Sequence, residues 1–159
     1  VARLIDTNIL VYRFDPRDPA KQQIAADLLR EGLVRDELVL PHQAVMEFVA
    51  AVTRVRADLN DSPLLSRQDA LAEAEALMLQ FPMLYPTADV LMAALRGVAA
   101  YQLSWFDAHL WAYAEVCGIP EILSEDFEHG RHYGRVRVVN PFLAADGQVQ
   151  ELPALYDIG

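Results

Sequence analysis

The chain has 159 residues, the length of one domain, with 53% hydrophobic and 23% charged residues. That composition excludes a disordered chain and lets about 70% of the unfolded surface be buried. Thirteen Lys and Arg against 23 Asp and Glu leave a net charge of −10, which argues against a basic groove reader but not against a nuclease whose acidic site is filled with divalent metal. Charged residues such as Glu47, Arg54, Asp89 and Asp107 interrupt every apolar stretch short of a membrane span. No signal-peptide pattern stands at Val1–Leu10, and the lone Cys117 can form no internal disulfide, so the cytoplasm is the expected location.

Ala2–Ile5 reads as a short apolar strand stopping at Asp6, and Asn8–Phe14 as a brief helix closed by Asp15-Pro16. Asp18-Pro19 supplies a cap and a first-turn proline for a helix to about Val34, with Gly32 near its end. Glu37–Leu40 follows as a strand, and Pro41 starts a helix carrying Val45, Phe48, Val49, Val52 and Val55. Ala57–Pro63 reads as a polar loop. Ser66 to Asp69 resembles a capping box for a helix to about Phe81, stopped by Pro82 before a short strand at Met83–Tyr85. Thr87 and Ser104 cap helices over Ala88–Tyr101 and Trp105–Cys117, the second closed by Gly118. Glu121–Leu123 and Val136–Val139 read as the last strands. Alternating strands and helices imply an α/β fold with a mostly parallel sheet, whose ligands belong beyond the carboxyl ends of the strands.

Four acids stand in apolar company: Asp6 after Leu4-Ile5, Glu47 in Val45-Met46-Glu47-Phe48-Val49, Asp107 after Trp105-Phe106, and Asp126 before Phe127. An unpaired carboxylate is costly in such surroundings. A shared divalent cation would satisfy several at once, since oxygen-rich sites suit Mg2+ or Mn2+. Ala44 and Ala51 share the helix face of Glu47 and leave room beside it, while Thr7 and Ser124 add hydroxyls near Asp6 and Asp126. Each acid also has a structural reading: Asp6 as a helix cap, Glu47 paired with Arg54, Asp107 in a capping box with Ser104, Asp126 as a loop acid. Other acids, Asp15 among them, read as solvated surface, and Glu115 as outward-facing.

Leu4-Ile5-Asp6-Thr7-Asn8-Ile9-Leu10, then Glu47, Asp107 and Ser124-Glu125-Asp126-Phe127, resemble the PIN-domain ribonucleases, and within them the VapC-type toxins of toxin–antitoxin pairs. The closing Val138-Val139-Asn140-Pro141-Phe142 fits the same pattern, so the resemblance spans nearly all of a 1–142 domain. It leaves 143–159 as an extension whose Leu152, Leu155, Tyr156 and Ile158 could pack on the body or on a partner. The resemblance implies an α/β/α sandwich and an acidic metal site of Asp6, Glu47, Asp107 and Asp126, shaped by Thr7, Asn8 and Ser124. It further implies a Mg2+- or Mn2+-dependent endoribonuclease, often a homodimer, inhibited by a VapB-type antitoxin whose C-terminal segment covers the site. The activity would hydrolyse RNA by metal-activated water, leaving 5′-phosphate and 3′-hydroxyl ends.

For RNA contact the densest basic segment is His129 to Arg137, with Arg131, Arg135 and Arg137 as a backbone clamp beside Tyr133; a solvated loop with an arginine-bearing edge strand is the competing reading. Trp105, Trp111 and Tyr113 read as core or dimer contact, and Cys117 as a small buried hydrophobe. Two other functions compete. A metal-dependent phosphatase with Asp6 as nucleophile lacks the second acid, since Asn8 stands there. A non-catalytic RNA- or protein-binding scaffold has no use for four crowded carboxylates.

Overall fold

A computed structural model describes residues 1–144. The apolar positions singled out beyond Leu143 in the extension lie outside the described residues. The elements run β1 (Arg3–Ile5), α1 (Thr7–Tyr12), α2 (Pro19–Arg35), β2 (Leu38–Pro41), α3 (His42–Val52), α4 (Arg67–Gln80), β3 (Met83–Leu84), α5 (Ala88–Tyr101), α6 (Trp105–Cys117), β4 (Glu121–Leu123), β5 (His132–Tyr133) and β6 (Val136–Val139). The sheet order is β3-β2-β1-β4-β6-β5, parallel throughout except for the β5–β6 hairpin at one edge.

The central strands β1, β2 and β4 are short and largely apolar because both of their faces are covered. Alternation divides the side chains: Leu4, Ile122, Val136 and Val138 pack under α5 and α6, whereas Ile5, Leu40 and Leu123 pack with Ile9, Leu10 and Phe48 from α1 and α3. The result is the expected helix–sheet–helix sandwich. α5 and α6 approach closely because Ala93, Ala94, Gly97 and Ala108 are small; a Cβ at Gly97 would stand 2.8 Å from the Trp111 ring.

Several local expectations change. α3 ends at Val52 rather than reaching Val55, as the Thr53 hydroxyl donates to the Val49 carbonyl and Arg56 donates to that of Ala51. Pro41 is the last residue of β2 and the N-cap of α3, not a helical residue. Gly32 lies near the end of α2 as expected, three residues before its last residue Arg35, and is glycine because Leu38 lies directly against its Cα. Ala57–Leu59 forms a turn of 3-10 helix. Cys117 is exposed, being the last residue of α6. Trp111 and Tyr113 are core, whereas Trp105 keeps 41% of its surface exposed.

The strand order reverses beside β1: β2 and β3 extend one way from it, β4 and β6 the other. The carboxyl ends of β1 and β4 therefore diverge into a crevice at a topological switch point. Asp6 and Ser124 are the next residues after those two ends.

Candidate active site

Asp6 leaves β1 in extended conformation and caps α1, one carboxylate oxygen accepting from the Thr7 amide at 2.6 Å. Its amide in turn donates to the Leu123 carbonyl, which ties β1 to the end of β4. The other carboxylate oxygen accepts from the Ser124 hydroxyl at 2.5 Å. Ser124 is fully buried, and its oxygen also accepts from the Asp126 amide at 3.0 Å. One serine therefore orients both strand-end acids. Asn8 spans the same gap, its amide donating to Asp126 at 3.1 Å and Asp6 at 3.4 Å.

Glu47 enters from α3. Its carboxylate accepts from the Thr7 hydroxyl at 2.8 Å, and from Gln43, one turn earlier, at 3.5 Å. Gln43 also donates to the Phe106 carbonyl, next to Asp107, and so links the α3 acid to the start of α6. Asp107 sits in the first turn of α6, whose cap Ser104 accepts its amide at 3.1 Å. The capping readings of Asp6 and of Ser104 with Asp107 are thus real, and the caps are what fix these carboxylates in place. The Glu47–Arg54 pair does not form; Glu47 is held by neutral donors.

The electrostatics are those of crowded acids. Burial, opposed by the Ser124 and Thr7 hydrogen bonds and reinforced by Asp126 and Asp107, pushes the Asp6 carboxyl up to about 7. Burial also raises Asp107, with a further push from Glu47, and raises Asp126, with further pushes from Asp107 and Glu125. Asn8 keeps a buried carbonyl oxygen with no partner at the centre of this group.

These observations bear on a metal. All donors are hard oxygens, the acids repel one another, and an orphaned acceptor lies among them; a divalent cation with its waters answers each of these costs. Among the described residues no three His, Cys, Asp or Glu side chains form a ready cage. Binding through one or two carboxylates and retained water is the habit of Mg2+ and fits the donor set.

The family model of the PIN domain matches residues 3–134. The chain belongs to the PIN-domain family. The PIN fold is shared with solved structures at low identity. The sarcin–ricin-loop-cleaving toxin VapC20 of Mycobacterium tuberculosis is 16% identical, with a TM-score of 0.59 over 79% of this chain and 92% of that one. The DNA-bound VapBC of Salmonella typhimurium is 12% identical, TM-score 0.63, over 89% and 98%. A toxin–antitoxin complex from Klebsiella pneumoniae is 16% identical, TM-score 0.57, over 88% and 98%. No curated protein matches the chain.

The basic segment of this PIN domain folds differently from a loop clamp. Residues 132–137 form the β5–β6 hairpin, turning at Gly134 in the left-handed region. Arg137 pairs in register with Glu121, the first residue of β4, and Arg135 lies beyond it, donating to the Glu115 carboxylate at 3.3 Å. Both therefore lie toward the amino ends of the strands, away from the acids. Arg131 bonds Glu128 and lies over the Tyr133 ring, level with Val138. Glu115 is a partner of Arg135 rather than a free surface acid.

A cavity of about 420 Å³ adjoins the acids, lined by Thr7, Asn8, Glu47 and Asp126 at one end and by Arg17 and Arg54 at the other. Asp15, expected at the surface, is 5% exposed and pairs with Arg17 at 2.7 Å, and hydrogen bonds from Arg17 hold its carboxyl below the usual range. Sequence reasoning passed over Gln43, Arg17 and Tyr12, whose hydroxyl donates to Glu125 beside Asp126. Gln43 was findable, being four residues before Glu47 on the same helix face; the others are set by contacts across the fold.

Proposed function

We propose that the chain is a metal-dependent endoribonuclease, the VapC-type toxin of a toxin–antitoxin pair. One observation carries the reading: Asp6, Glu47, Asp107 and Asp126 converge from four elements at the switch point, coupled to one another and held only by neutral donors. Membership of the PIN family and the fold shared with VapC and VapBC structures support it.

In this reading Asp6 and Asp107 hold a Mg2+ or Mn2+ ion directly, and Glu47 and Asp126 complete the site or orient water. When bound, the ion supplies a water of lowered pKa and offsets charge on the phosphate. The chain's own residues do the rest. Ser124 favours the ionised form of Asp6 by donating to it, against the burial that raises it, and Thr7 donates to the Glu47 carboxylate. Asn8 holds Asp126 against its repulsion from Asp6. Asn8 in place of a second aspartate, committed to these bonds, leaves a phosphatase without its second acid.

A VapB-type antitoxin is the proposed protein partner, in keeping with the toxin–antitoxin complexes that share the fold. A second copy is the proposed cover for the exposed Met46, Trp105 and Phe106, which line an apolar groove of about 240 Å³ beside Glu47. No helix among the described residues is long and apolar enough to cross a membrane.

The test is cleavage of total RNA with Mg2+, Mn2+ or chelator by the wild type, Asp6→Asn and Asp107→Asn. Discrete metal-dependent fragments are expected, reduced at least about a hundredfold in either variant, since outer-sphere losses alone cost 10- to 100-fold. Intact RNA after incubation with folded, metal-saturated, antitoxin-free protein would overturn the proposal.

A further inference from the structure

The acid cluster explains where a phosphodiester would be cut but not what draws a polyanion onto a chain of net charge −10. The cations around the cavity answer that by elimination. Arg17 uses its Nε and Nη2 on Asp15 and its Nη1 on Asp58. Lys21 is bound to Glu125 at 2.9 Å. Arg56 serves the end of α3, donating to the Ala51 carbonyl. Arg54 is left exposed, and among the described residues it has no carboxylate or hydrogen-bond partner.

Arg54 also lies in the right place. It lies two residues past the end of α3, the helix that carries Glu47, and lines the same cavity as Glu47, Thr7 and Asp126. Between them the cavity floor is Ala50 and Ala51, whose side chains leave an open path. An unpaired guanidinium offers a planar pair of donors that match phosphate oxygens. The Arg131–Arg137 segment cannot take this role as a unit, because its hairpin carries Arg135 and Arg137 toward the opposite end of the sheet.

We propose that Arg54 is a substrate-binding residue that grips an RNA backbone phosphate flanking the scissile one, so that the strand enters along the Ala50–Ala51 floor toward Asp6. This rests on the endoribonuclease reading for the nature of the substrate. The contact lies beyond the scissile phosphate, so its loss falls on substrate capture.

The experiment measures cleavage of a short single-stranded RNA in Mg2+ across a salt series by the wild type, Arg54→Lys, Arg54→Ala and Arg54→Glu. In parallel, fluorescence anisotropy follows binding of the same RNA by Asp6→Asn with and without Arg54→Glu. Arg54→Ala is expected to raise KM roughly tenfold, the scale of one lost charge-assisted hydrogen-bonded contact. It should also reduce the slope of log affinity against log salt by about 0.7, one phosphate contact on a single strand. Arg54→Lys should recover part of the loss and Arg54→Glu deepen it. Arg54 is exposed, and melting temperatures of its three variants within a degree or two of the wild type would verify folding.

Wild-type KM and salt slope in Arg54→Glu, with cleavage intact, would overturn the assignment while leaving the nuclease reading standing. Arg54-dependent RNA binding by a wild type that cuts nothing would support Arg54 and overturn the nuclease. Unchanged RNA binding together with lost capture of a poly-glutamate peptide would make this a protein-docking surface and overturn the proposal.

Discussion

The two ends of the sheet treat their charges in opposite ways. At the amino ends of the strands Arg3 stands between Glu37 at 3.6 Å and Glu121 at 3.7 Å, and Arg135 bonds Glu115 at 3.3 Å. At the carboxyl ends Asp6, Glu47, Asp107 and Asp126 face one another, and Thr7, Asn8, Gln43 and Ser124 hold them without a single cation. One end is neutralised within the chain. The other is left short of positive charge where the switch point opens, and Asp6, Asp107 and Asp126 are raised rather than lowered. Around the same cavity Arg17 pairs with Asp15 and Lys21 with Glu125, so among the described residues these four acids go without a cation where their neighbours have one, which marks them as functional-site candidates.

The comparison can be broken most severely at Ser124. Ser124→Ala removes the hydrogen bond that lowers Asp6 and leaves the Asp126 amide without its acceptor. Metal-dependent cleavage is expected to fall 10- to 100-fold, as for other residues that orient ligands, with part of the loss recovered at higher pH as Asp6 ionises. A pH–rate profile checks this, and a parallel, unshifted profile would reject it.

The next effect is on stability. Asp6 has a folded pKa above its unfolded value, so its contribution is complete in acid and is lost as pH rises from about 4 through about 7. Asp107 and Asp126 act in the same direction. Asp15, lowered by Arg17, acts oppositely, its contribution lost as pH falls through the acid range. In chelator the melting temperature is therefore expected to drop between pH 5 and pH 8, by a few kcal/mol of stability at most. Mg2+ or Mn2+ should restore it at the upper end by binding the folded state, and Asp6→Asn should flatten the metal-free curve. A curve in chelator that stays level or rises, in both proteins, would contradict the raised carboxylates.

The smallest effect belongs to the neutralised end. Arg3→Ala removes two partly exposed ion pairs of 3.6 and 3.7 Å, worth about 1 kcal/mol or less together. Urea denaturation should show that modest loss, with RNA cleavage unchanged. A large loss of activity would mean that the two ends are coupled through β1.

Much of this was legible locally. The caps at Asp18, Ser66, Thr87 and Ser104 place four helices, and each accepts the amide that its spacing predicts. Short apolar runs just before acids mark β1 and β4, and Asp6, Glu47, Asp107 and Asp126 stand out by their apolar neighbours, of which Ile5, Phe48, Ala108 and Phe127 are core while Met46, Trp105 and Phe106 prove to be exposed. β6 was read at Val136–Val139, but β5 and its pairing into a hairpin were not legible, since two residues of strand carry no usable alternation. Nor was the burial of Asp15, which needs Arg17 folded back onto it.

The sequence by itself determined where most helices start and which acids stand among apolar residues, because caps and apolar runs depend on neighbours within one or two turns; the burial of Asp15 and the exposure of Cys117 were not in it. Only the tertiary structure decided what those acids meet. Ser124 reaches Asp6 across 118 positions because β4 lies parallel beside β1, and Thr7 reaches Glu47 across 40 because α3 packs on α1. The tertiary structure also decided that, of the two arginines lining the cavity, Arg17 is spent on carboxylates and Arg54 is left over. Pairing between distant strands is set by how layers close over a common core, and no local period in the chain records it.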